Sequence, residues 1–188
     1  MSACANVKEF KQGQQCHCLL VKVGLDISTC ARSSLIDMYV KCVVVLAAHD
    51  AFYSMSFRNV VSINALITGY TMSHLEEAIH LFQEIQMVGL KPTEVTFAGL
   101  LDGCDGAFML NLGRQIHGQV MKWGFLSSSE MVCVSLLCMY MNSQRFADSE
   151  TLFSELQYPK GLVVWTAFIS GYAKKNHHEK ALQFYQSI

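Results

Sequence analysis

At 188 residues the chain has room for one or two globular domains, and a composition of 52% apolar and 15% charged residues is that of a helical protein with a large core. The net charge of −1 excludes an overall basic field of the kind that marks nucleic-acid binding, although a basic stripe along one face is compatible with this total. No apolar run reaches the roughly 18 residues of a membrane-spanning helix. No targeting peptide is visible at the N-terminus, and we expect no membrane partner.

The predicted elements are amphipathic helices that come in pairs. An incomplete pair occupies residues 1–28, and the most regular pair lies between Asn59 and Thr93. Within that stretch, apolar residues at spacings of three and four place one apolar face on each helix, and Gly89 and Pro92 end the second helix. The residues on or near these faces are Val61, Leu66, Ile67 and Tyr70 in the first helix and Leu75, Ala78, Ile79, Phe82 and Ile85 in the second. One such pair cannot bury both faces, so it needs neighbours.

The same pair of helices recurs along the chain. The phrase near the end of the first helix appears as LIDMY, LITGY, LLDGC, LLCMY and FISGY, starting at Leu35, Leu66, Leu100, Leu136 and Phe168, with offsets of 31, 34, 36 and 32 residues. The second helix recurs as well, for example as EEAIHLFQEI, DSETLFSEL and EKALQFYQSI. A period of this size, with a helical hairpin in each unit, predicts an all-α fold: a right-handed α-solenoid of helix-turn-helix repeats.

These phrases resemble the pentatricopeptide repeat (PPR) family. NVVSINALITGY, LEEAIHLFQEI, VGLKPT and LGRQIHGQVMKWGF carry the resemblance, and the unequal offsets are similar to the plant subgroup that mixes ordinary, long and short repeats. The resemblance implies one array over residues 1–188. Its units are a partial long repeat at 1–28, a short repeat at 29–59, an ordinary repeat at 60–93, a long repeat at 94–129, a short repeat at 130–161 and a partial ordinary repeat at 162–188. Because both ends cut through a repeat, we expect a fragment of a longer array.

The turn at Val43, Val44 and Val45 is the weakest point of the predicted array. A glycine and polar residues are usual at this place in PPR repeats, and three β-branched residues disfavour the start of a helix. We therefore expect this turn to be the least regular one in the chain.

Eight cysteines could indicate disulfides, but their positions argue against it. Five of them fall on apolar faces of predicted helices, where a thiol acts as a small hydrophobic side chain. We interpret these five, Cys30, Cys42, Cys104, Cys133 and Cys138, as buried and reduced.

Cys16-His17-Cys18 has the soft ligands that suit a metal ion. Zinc motifs, however, usually space their cysteines by two to four residues and need a second ligand pair, whereas consecutive residues on a helix point in different directions. His17 also matches His117 in the other long unit, which favours a repeated structural position. We predict no metal site here.

His177-His178-Glu179 contains the H-x-E of zinc deaminases, but the paired-cysteine motif that follows it in those enzymes is missing. The run instead fits the opening of a second repeat helix. Trp123 and Trp165 could stack on bases, although packing explains each of them. The sequence has no glycine-rich phosphate loop and no nucleophile–base motif, so we predict neither enzymatic activity nor a cofactor.

The resemblance implies how such an array would bind RNA. In PPR proteins each repeat faces one base of a single strand. The fifth residue of the first helix and the last residue of the repeat contact the base edge, the second residue wedges between bases, and a lysine at position thirteen can meet phosphate. The implied base-reading pairs are Ser33 with Asn59, Asn64 with Thr93, Ala98 with Ser129 and Val134 with Gly161, followed by Thr166 in a unit that stops before its last residue. The implied wedges are Cys30, Val61, Val95, Met131 and Val163, and the implied phosphate contacts are Lys41 and Lys174.

The family pattern also implies which bases are read. Ser33 with Asn59 implies adenine and Asn64 implies a pyrimidine, whereas Ala98 and Val134 offer a base no hydrogen bond. Serine, threonine and asparagine near helix starts are also ordinary caps, and a purely structural role for these residues stays open at this point.

The resulting expectation is a sequence-selective, single-stranded RNA-binding module of organellar RNA processing or editing. Its expected partners are single-stranded RNA and other processing or editing proteins, and its expected location is the mitochondrion or the chloroplast. The main alternative is a protein-interaction scaffold, which the near-neutral charge favours and which salt dependence would separate from RNA binding. A deaminase fragment and a degenerate product with little function are the remaining alternatives.

Overall fold

The computed structural model describes residues 10–24, 28–55, 58–71, 74–156 and 161–187, and no strand occurs in these ranges. The α-helices are α1 Phe10–Lys22, α2 Thr29–Lys41, α3 Val45–Tyr53, α4 Val60–Tyr70, α5 Leu75–Met87, α6 Glu94–Gly103, α7 Leu110–Lys122, α8 Phe125–Ser128, α9 Glu130–Asn142, α10 Phe146–Glu155, α11 Leu162–Lys174 and α12 His178–Tyr185. A short 3-10 helix, Ala107–Met109, precedes α7. The all-helical expectation is therefore confirmed. None of the described helices is long and apolar enough to cross a membrane.

The helix starts bear on the repeat boundaries. The helices α2, α4, α6, α9 and α11 begin at the first residue of the units expected from residue 29 onwards. Residues 1–9 and 25–27, which belong to the first expected unit, lie outside the described ranges. The boundaries stay a prediction, and these helix starts support it.

Residues 1–99 form one compact unit. Within it, α2 packs against α3 of its own hairpin and against α4, while α4 packs against α5. The fully buried side chains include Ile36, Met38, Phe52, Ile63, Leu66, Ile67, Ile85 and Phe97. Val61 was expected on or near the apolar face of its helix, but it is 59% exposed. The second residue of α4 instead faces a surface groove, so the helical period alone misplaced it.

Residues 100–188 form the other compact unit. Here α9 packs against α7, α8, α10 and α11, and α11 packs against α12. The centre of this unit is aromatic: Phe153 and Phe168 stack with their ring centroids 4.0 Å apart, and the ring of Phe184 lies 4.8 Å from that of Phe168.

Close packing between first helices explains the glycine in LITGY and FISGY. A Cβ at Gly69 in α4 would lie 2.6 Å from Cγ2 of Val40 in α2. Gly171 in α11 has the same relation to Met141 in α9. A larger residue at Gly69 would overlap the branched side chain of Val40, whereas the Met141 side chain that faces Gly171 is flexible and can move, so glycine is a strict packing requirement at Gly69.

Three hairpin turns are closed by a residue in the left-handed conformation. Val43, Gln144 and Asn176 have φ angles of 61°, 58° and 63°. The N–H of Val44 donates to the carbonyl of Tyr39 at 2.9 Å, and the equivalent bonds at the other two turns measure 2.8 and 3.0 Å. These are the bonds of a Schellman motif, in which glycine is the usual left-handed residue. A β-branched valine is strained in this conformation, but the φ angle and the hydrogen bond of this turn match those at Gln144 and Asn176, so its geometry is as regular as theirs.

We expect Val43→Gly to raise the free energy of unfolding by about 1 kcal/mol, because glycine adopts the left-handed conformation without a steric penalty. Little packing is lost, since Val43 is 78% exposed. The matched control is Val44→Gly: Val44 has a φ of −110° and is partly buried, so glycine there relieves no strain, adds chain entropy and loses some packing, and it should destabilise by about 1 kcal/mol or more. Urea denaturation followed by circular dichroism measures both. Equal shifts of the same sign would show that strain at Val43 is absent.

The seven described cysteines are free thiols. Cys104 and Cys133 are buried as expected, and burial raises the pKa of Cys104 to about 11. Cys42 and Cys138 are only partly buried. The expectation for Cys30 is wrong, because this thiol is exposed. It is the second residue of α2 and, like Val61, faces a groove.

Candidate functional site

A groove of about 870 Å³ crosses the N-terminal halves of α2 and α4 and the start of α6. It lies within the first compact unit. Seven of the residues assigned by resemblance line it: Cys30, Ser33, Asn59, Val61, Asn64, Thr93 and Val95. Residues that are far apart in sequence, from three successive first helices, are thereby brought to one surface.

The second residue of each first helix is apolar and exposed. These residues are Cys30, Val61, Val95, Met131 and Val163. The second unit repeats the feature of the first, since Val163 is 62% exposed. Isolated exposed apolar residues are common in proteins, but here one recurs at the same position of every described first helix. A shared position of this kind indicates a shared role at the surface.

Asn59 is the N-cap of α4. Its Oδ1 accepts a hydrogen bond from the N–H of Ser62 at 2.9 Å, and Oγ of Ser62 accepts one from the N–H of Asn59 at 3.2 Å, which completes a capping box. Within the described ranges, Nδ2 of Asn59 donates no hydrogen bond. Ser33 is buried, and its Oγ donates to the carbonyl of Thr29 at 2.8 Å. The structural role of Asn59 thus occupies its oxygen and leaves its amide nitrogen available.

Asn64 and Thr93, the implied pair of the next repeat, are in direct contact. Nδ2 of Asn64 donates to Oγ1 of Thr93 at 2.9 Å. Oδ1 of Asn64 accepts from Oγ1 of Thr96 at 2.7 Å, and the N–H of Thr93 donates to that same hydroxyl at 2.9 Å. Sequence reasoning assigned no role to Thr96 or to Ser62. The signal was present, since each lies three residues after the last residue of a repeat, as in a capping box.

The later implied pairs are less polar. Ala98 is buried, and Val134 is half-buried. Ser129 caps α9 by accepting from the N–H of Val132 at 3.4 Å. The carboxylate of Glu130 occupies the space that a side chain at Gly161 would take.

The last implied base-reading residue is Thr166, which is exposed. Its hydroxyl donates to the carbonyl of Leu162 at 2.7 Å, a bond within α11. The hydroxyl oxygen keeps accepting capacity for another partner.

The two lysines differ in their surroundings. Nζ of Lys41 lies 2.9 Å from Oδ2 of Asp37, and both side chains are solvent-exposed. Asp37 and Glu94 line the groove, so its charged groups are not predominantly basic. Lys174 is exposed in the last turn of α11. Exposed ion pairs such as that of Lys41 contribute roughly 0–1 kcal/mol, so this lysine can exchange its carboxylate for another anion.

The two matching histidines make the same contact. Nδ1 of His17 lies 2.8 Å from the hydroxyl of Tyr39, and Nδ1 of His117 lies 2.9 Å from that of Tyr140. Burial lowers the pKa of His117. In the described part of the chain, no group of three or more His, Cys, Asp or Glu side chains is arranged to hold a metal ion. The geometry therefore gives His17 the same structural contact as His117.

Among the other singled-out residues, His177 and Trp165 make packing contacts. The helix α12 begins at His178, and the ring of His177 lies 4.4 Å from that of Phe146. Trp165 packs edge-on against Phe153 at 4.8 Å, while Trp123 ends α7 and is partly exposed.

Sequence comparisons cover both compact units. A PPR repeat family model matches residues 58–105, and a PPR repeat model matches residues 163–188. A mitochondrial pentatricopeptide repeat-containing protein of Arabidopsis thaliana is 46% identical over 188 residues, which are 100% of this chain and 18% of that protein. Another such Arabidopsis protein is 34% identical over 187 residues, covering 99% of this chain and 32% of its own length. The chain spans less than a third of the length of these relatives.

Solved structures show the same fold. The crystal structure of the pentatricopeptide repeat protein PPR10 from maize matches with a TM-score of 0.75 at 21% identity, over 94% of this chain and 26% of that one. PPR10 in complex with an 18-nt psaJ RNA element matches with a TM-score of 0.73 at 22% identity, over 93% and 27%. The predicted α-solenoid is thereby confirmed. With this fold and with sequence matches over its whole length, the chain belongs to the pentatricopeptide repeat family.

Proposed function

We propose that the chain is a single-stranded RNA-binding module that holds RNA in the groove across α2, α4 and α6. One observation carries the proposal: in this groove, exposed apolar side chains at second positions alternate with hydroxyl and amide groups at fifth and last positions. Unstacked bases offer flat faces and hydrogen-bonding edges, and a protein that reads single strands needs a group for each. PPR10, which has the same fold, was crystallised with an RNA element.

The proposed arrangement places one base in each repeat. Cys30, Val61 and Val95 come from three successive first helices, so the spaces between them are equivalent. One space holds the pair Ser33 and Asn59, and the next holds Asn64 and Thr93. Regular spacing of equivalent groups suits a polymer with its own regular repeat, and it supports sequence-selective reading in these two repeats.

The names of the relatives support a proposal for the cellular role. The name of the Arabidopsis protein that is 46% identical includes the word mitochondrial. We propose that this chain also acts in an organelle, in RNA processing or editing, together with other proteins of that pathway. The mitochondrion has this support, whereas the chloroplast rests on family resemblance alone. In this proposal the chain's own residues supply the binding groups.

A protein-interaction scaffold is the competing function, and one observation favours it. Asp37 and Glu94 line the groove, and Lys41 is paired with Asp37. A groove of this charge also suits a basic or apolar peptide. The two functions differ in salt dependence, because phosphate neutralisation releases counterions and peptide docking in an apolar groove does not.

Alkylation of Cys30 by iodoacetamide tests the proposed function directly, because this exposed thiol lines the groove. We expect short single-stranded RNA to slow its alkylation. Cys18 is also exposed but lies on α1, and it serves as the internal control. If two phosphates are neutralised, the affinity derived from this protection should fall about seven-fold between about 50 and about 200 mM salt. Mass spectrometry of the two peptides gives both rates.

The outcomes separate the two functions. Equal protection of Cys30 and Cys18, or no protection of either, contradicts RNA binding in the groove. If Cys30 is protected equally at low and high salt, and equally by RNA and by a peptide, the result favours the scaffold. Double-stranded RNA should protect neither thiol, since its bases are not accessible to wedging side chains.

A further inference from the structure

Two buried hydroxyl groups hold the last residue of the preceding repeat in place. They belong to Ser62 and Thr96, the third residues of α4 and α6, and both residues are 0% exposed. Oγ of Ser62 accepts from the N–H of Asn59 at 3.2 Å, and Oγ1 of Thr96 accepts from the N–H of Thr93 at 2.9 Å. The same position thus makes the same contact at two successive repeat boundaries.

The hydroxyl of Thr96 also bonds to a side chain that lines the groove. The hydroxyl of Thr96 uses its oxygen to accept from Thr93, so its hydrogen is free to go to Oδ1 of Asn64, 2.7 Å away. This bond decides which end of the Asn64 amide is oxygen. The other end, Nδ2, then donates to Oγ1 of Thr93 at 2.9 Å. After a half-turn of the amide both hydroxyls could still bond to it, since each can donate or accept, but Nδ2 would then lie at the buried Thr96 end with two hydrogens for one hydroxyl. Burial of this end therefore favours the orientation in which Oδ1 faces Thr96.

The hydrogen bonds among Asn64, Thr93 and Thr96 determine which of their groups remain for a ligand. Nδ2 of Asn64 has a second hydrogen. The hydroxyl of Thr93, which accepts from Asn64, lies 3.3 Å from Oγ1 of Thr96 and can turn its own hydrogen either to that oxygen or to a ligand. Both residues line the groove. Together these two groups form a pair of donors that suits a base edge with two acceptors. Cytosine offers N3 and O2 and uracil offers O2 and O4, whereas the corresponding edge of each purine has a single acceptor. An Asn64 amide that was free to turn would no longer distinguish pyrimidines from purines.

The second compact unit lacks these hydroxyls. The third residues of α9 and α11 are Val132 and Val164, and both are fully buried. A valine therefore fits this position of the fold without a hydroxyl. In the repeats that end before these two helices, the fifth residues are Ala98 and Val134, which have no polar group to orient. A hydroxyl is found where the fifth residue offers a base a polar group.

We propose that Thr96 is a positioning residue for base recognition: its hydroxyl holds the Asn64 amide in one orientation and thereby sets the base preference of the repeat before it. The inference rests on the proposed function, and it assigns specificity to a residue that lies in the following repeat and is fully buried. Thr96 supports the residue that touches the base and does not need to contact RNA.

Thr96→Val, made in the full 188-residue chain with no other change, removes the hydroxyl with almost no change in the shape of the side chain. The probes are four short RNAs in which one adenine is flanked on both sides by the same varied base, so that either strand direction presents it to Asn64. We expect the unaltered chain to prefer pyrimidines at the varied position, and Thr96→Val to reduce the pyrimidine-over-purine affinity ratio by about three- to ten-fold. Thr96→Ser keeps the hydroxyl and should keep the ratio.

A double-mutant cycle separates positioning from a loss of folding. With Asn64→Ala the ratio should also collapse, and adding Thr96→Val to Asn64→Ala should change it no further. An unchanged ratio in Thr96→Val, or a loss in Thr96→Ser equal to that in Thr96→Val, overturns the positioning role while the proposed function stands. If the unaltered chain fails to bind any of the four RNAs, the proposed function falls and the positioning role falls with it.

Discussion

Phe168→Ala is expected to lower the free energy of unfolding by about 3–5 kcal/mol. Phe168 is fully buried at the centre of the second unit, where its ring stacks on Phe153 at 4.0 Å and lies 4.8 Å from Phe184. It joins α11 to both α10 and α12. Alanine would leave a cavity that three helices cannot close together without losing contacts elsewhere, so both the transfer free energy and the cavity term are lost. Urea denaturation monitored by far-ultraviolet circular dichroism measures the effect.

Phe108→Ala is the matched control for this substitution. Phe108 is 99% exposed on the short 3-10 helix, so the same change of side chain removes almost no buried surface. We expect its effect to lie within about 0.5 kcal/mol of zero. Similar losses in both variants would mean that Phe168 does not pack as described. A loss below about 1 kcal/mol in Phe168→Ala would mean that the second unit contributes little to the measured transition.

The fold could be predicted from the sequence because its two main signals are local. Leu66, Ile67 and Ile85 recur at helical spacing and are buried, as the pattern predicts. The repeat adds a second constraint, because each hairpin must cover the apolar face of its neighbour. The failures came from apolar residues at the second position of first helices, Cys30 and Val61. Helical periodicity assigns every apolar residue at the right spacing to the buried face. It does not show which residues at the edge of that face stay exposed.

The site could be predicted only in part, since hydrogen-bond networks depend on distances across repeats. Family resemblance placed Asn59 and Asn64 near the groove, and both line it. It did not show that Oδ1 of Asn59 is occupied by a cap, or that Asn64 is bound at both ends of its amide. The third-position hydroxyl of Thr96 was missed because threonine near a helix start usually acts within its own turn. Here it also reaches a residue in the preceding first helix.

Asn59→Asp is expected to change the base preference of the first complete repeat from adenine toward guanine, by about ten-fold in the affinity ratio. In the unaltered chain Oδ1 of Asn59 caps α4, and Nδ2 is the group that remains for a base. An N–H donor matches the acceptor N1 of adenine. A carboxylate has only acceptors and matches the N–H groups that guanine presents in the same place. Ser33, which lines the same groove, is unchanged.

Asn59→Asp should not destabilise α4, because aspartate is as good an N-cap as asparagine and a negative charge is favourable at a helix N-terminus. The free energy of unfolding should therefore stay the same or rise slightly, which denaturation checks independently.

Asn59→Ser is the control: serine also caps the helix but is too short to reach a base, so stability should hold and the preference should weaken without turning toward guanine. Binding is measured with four RNAs that differ only at the facing base. If the order of the four affinities is the same before and after Asn59→Asp, then Asn59 serves α4 as a cap alone, and the assignment of Ser33 and Asn59 to base reading has to be withdrawn.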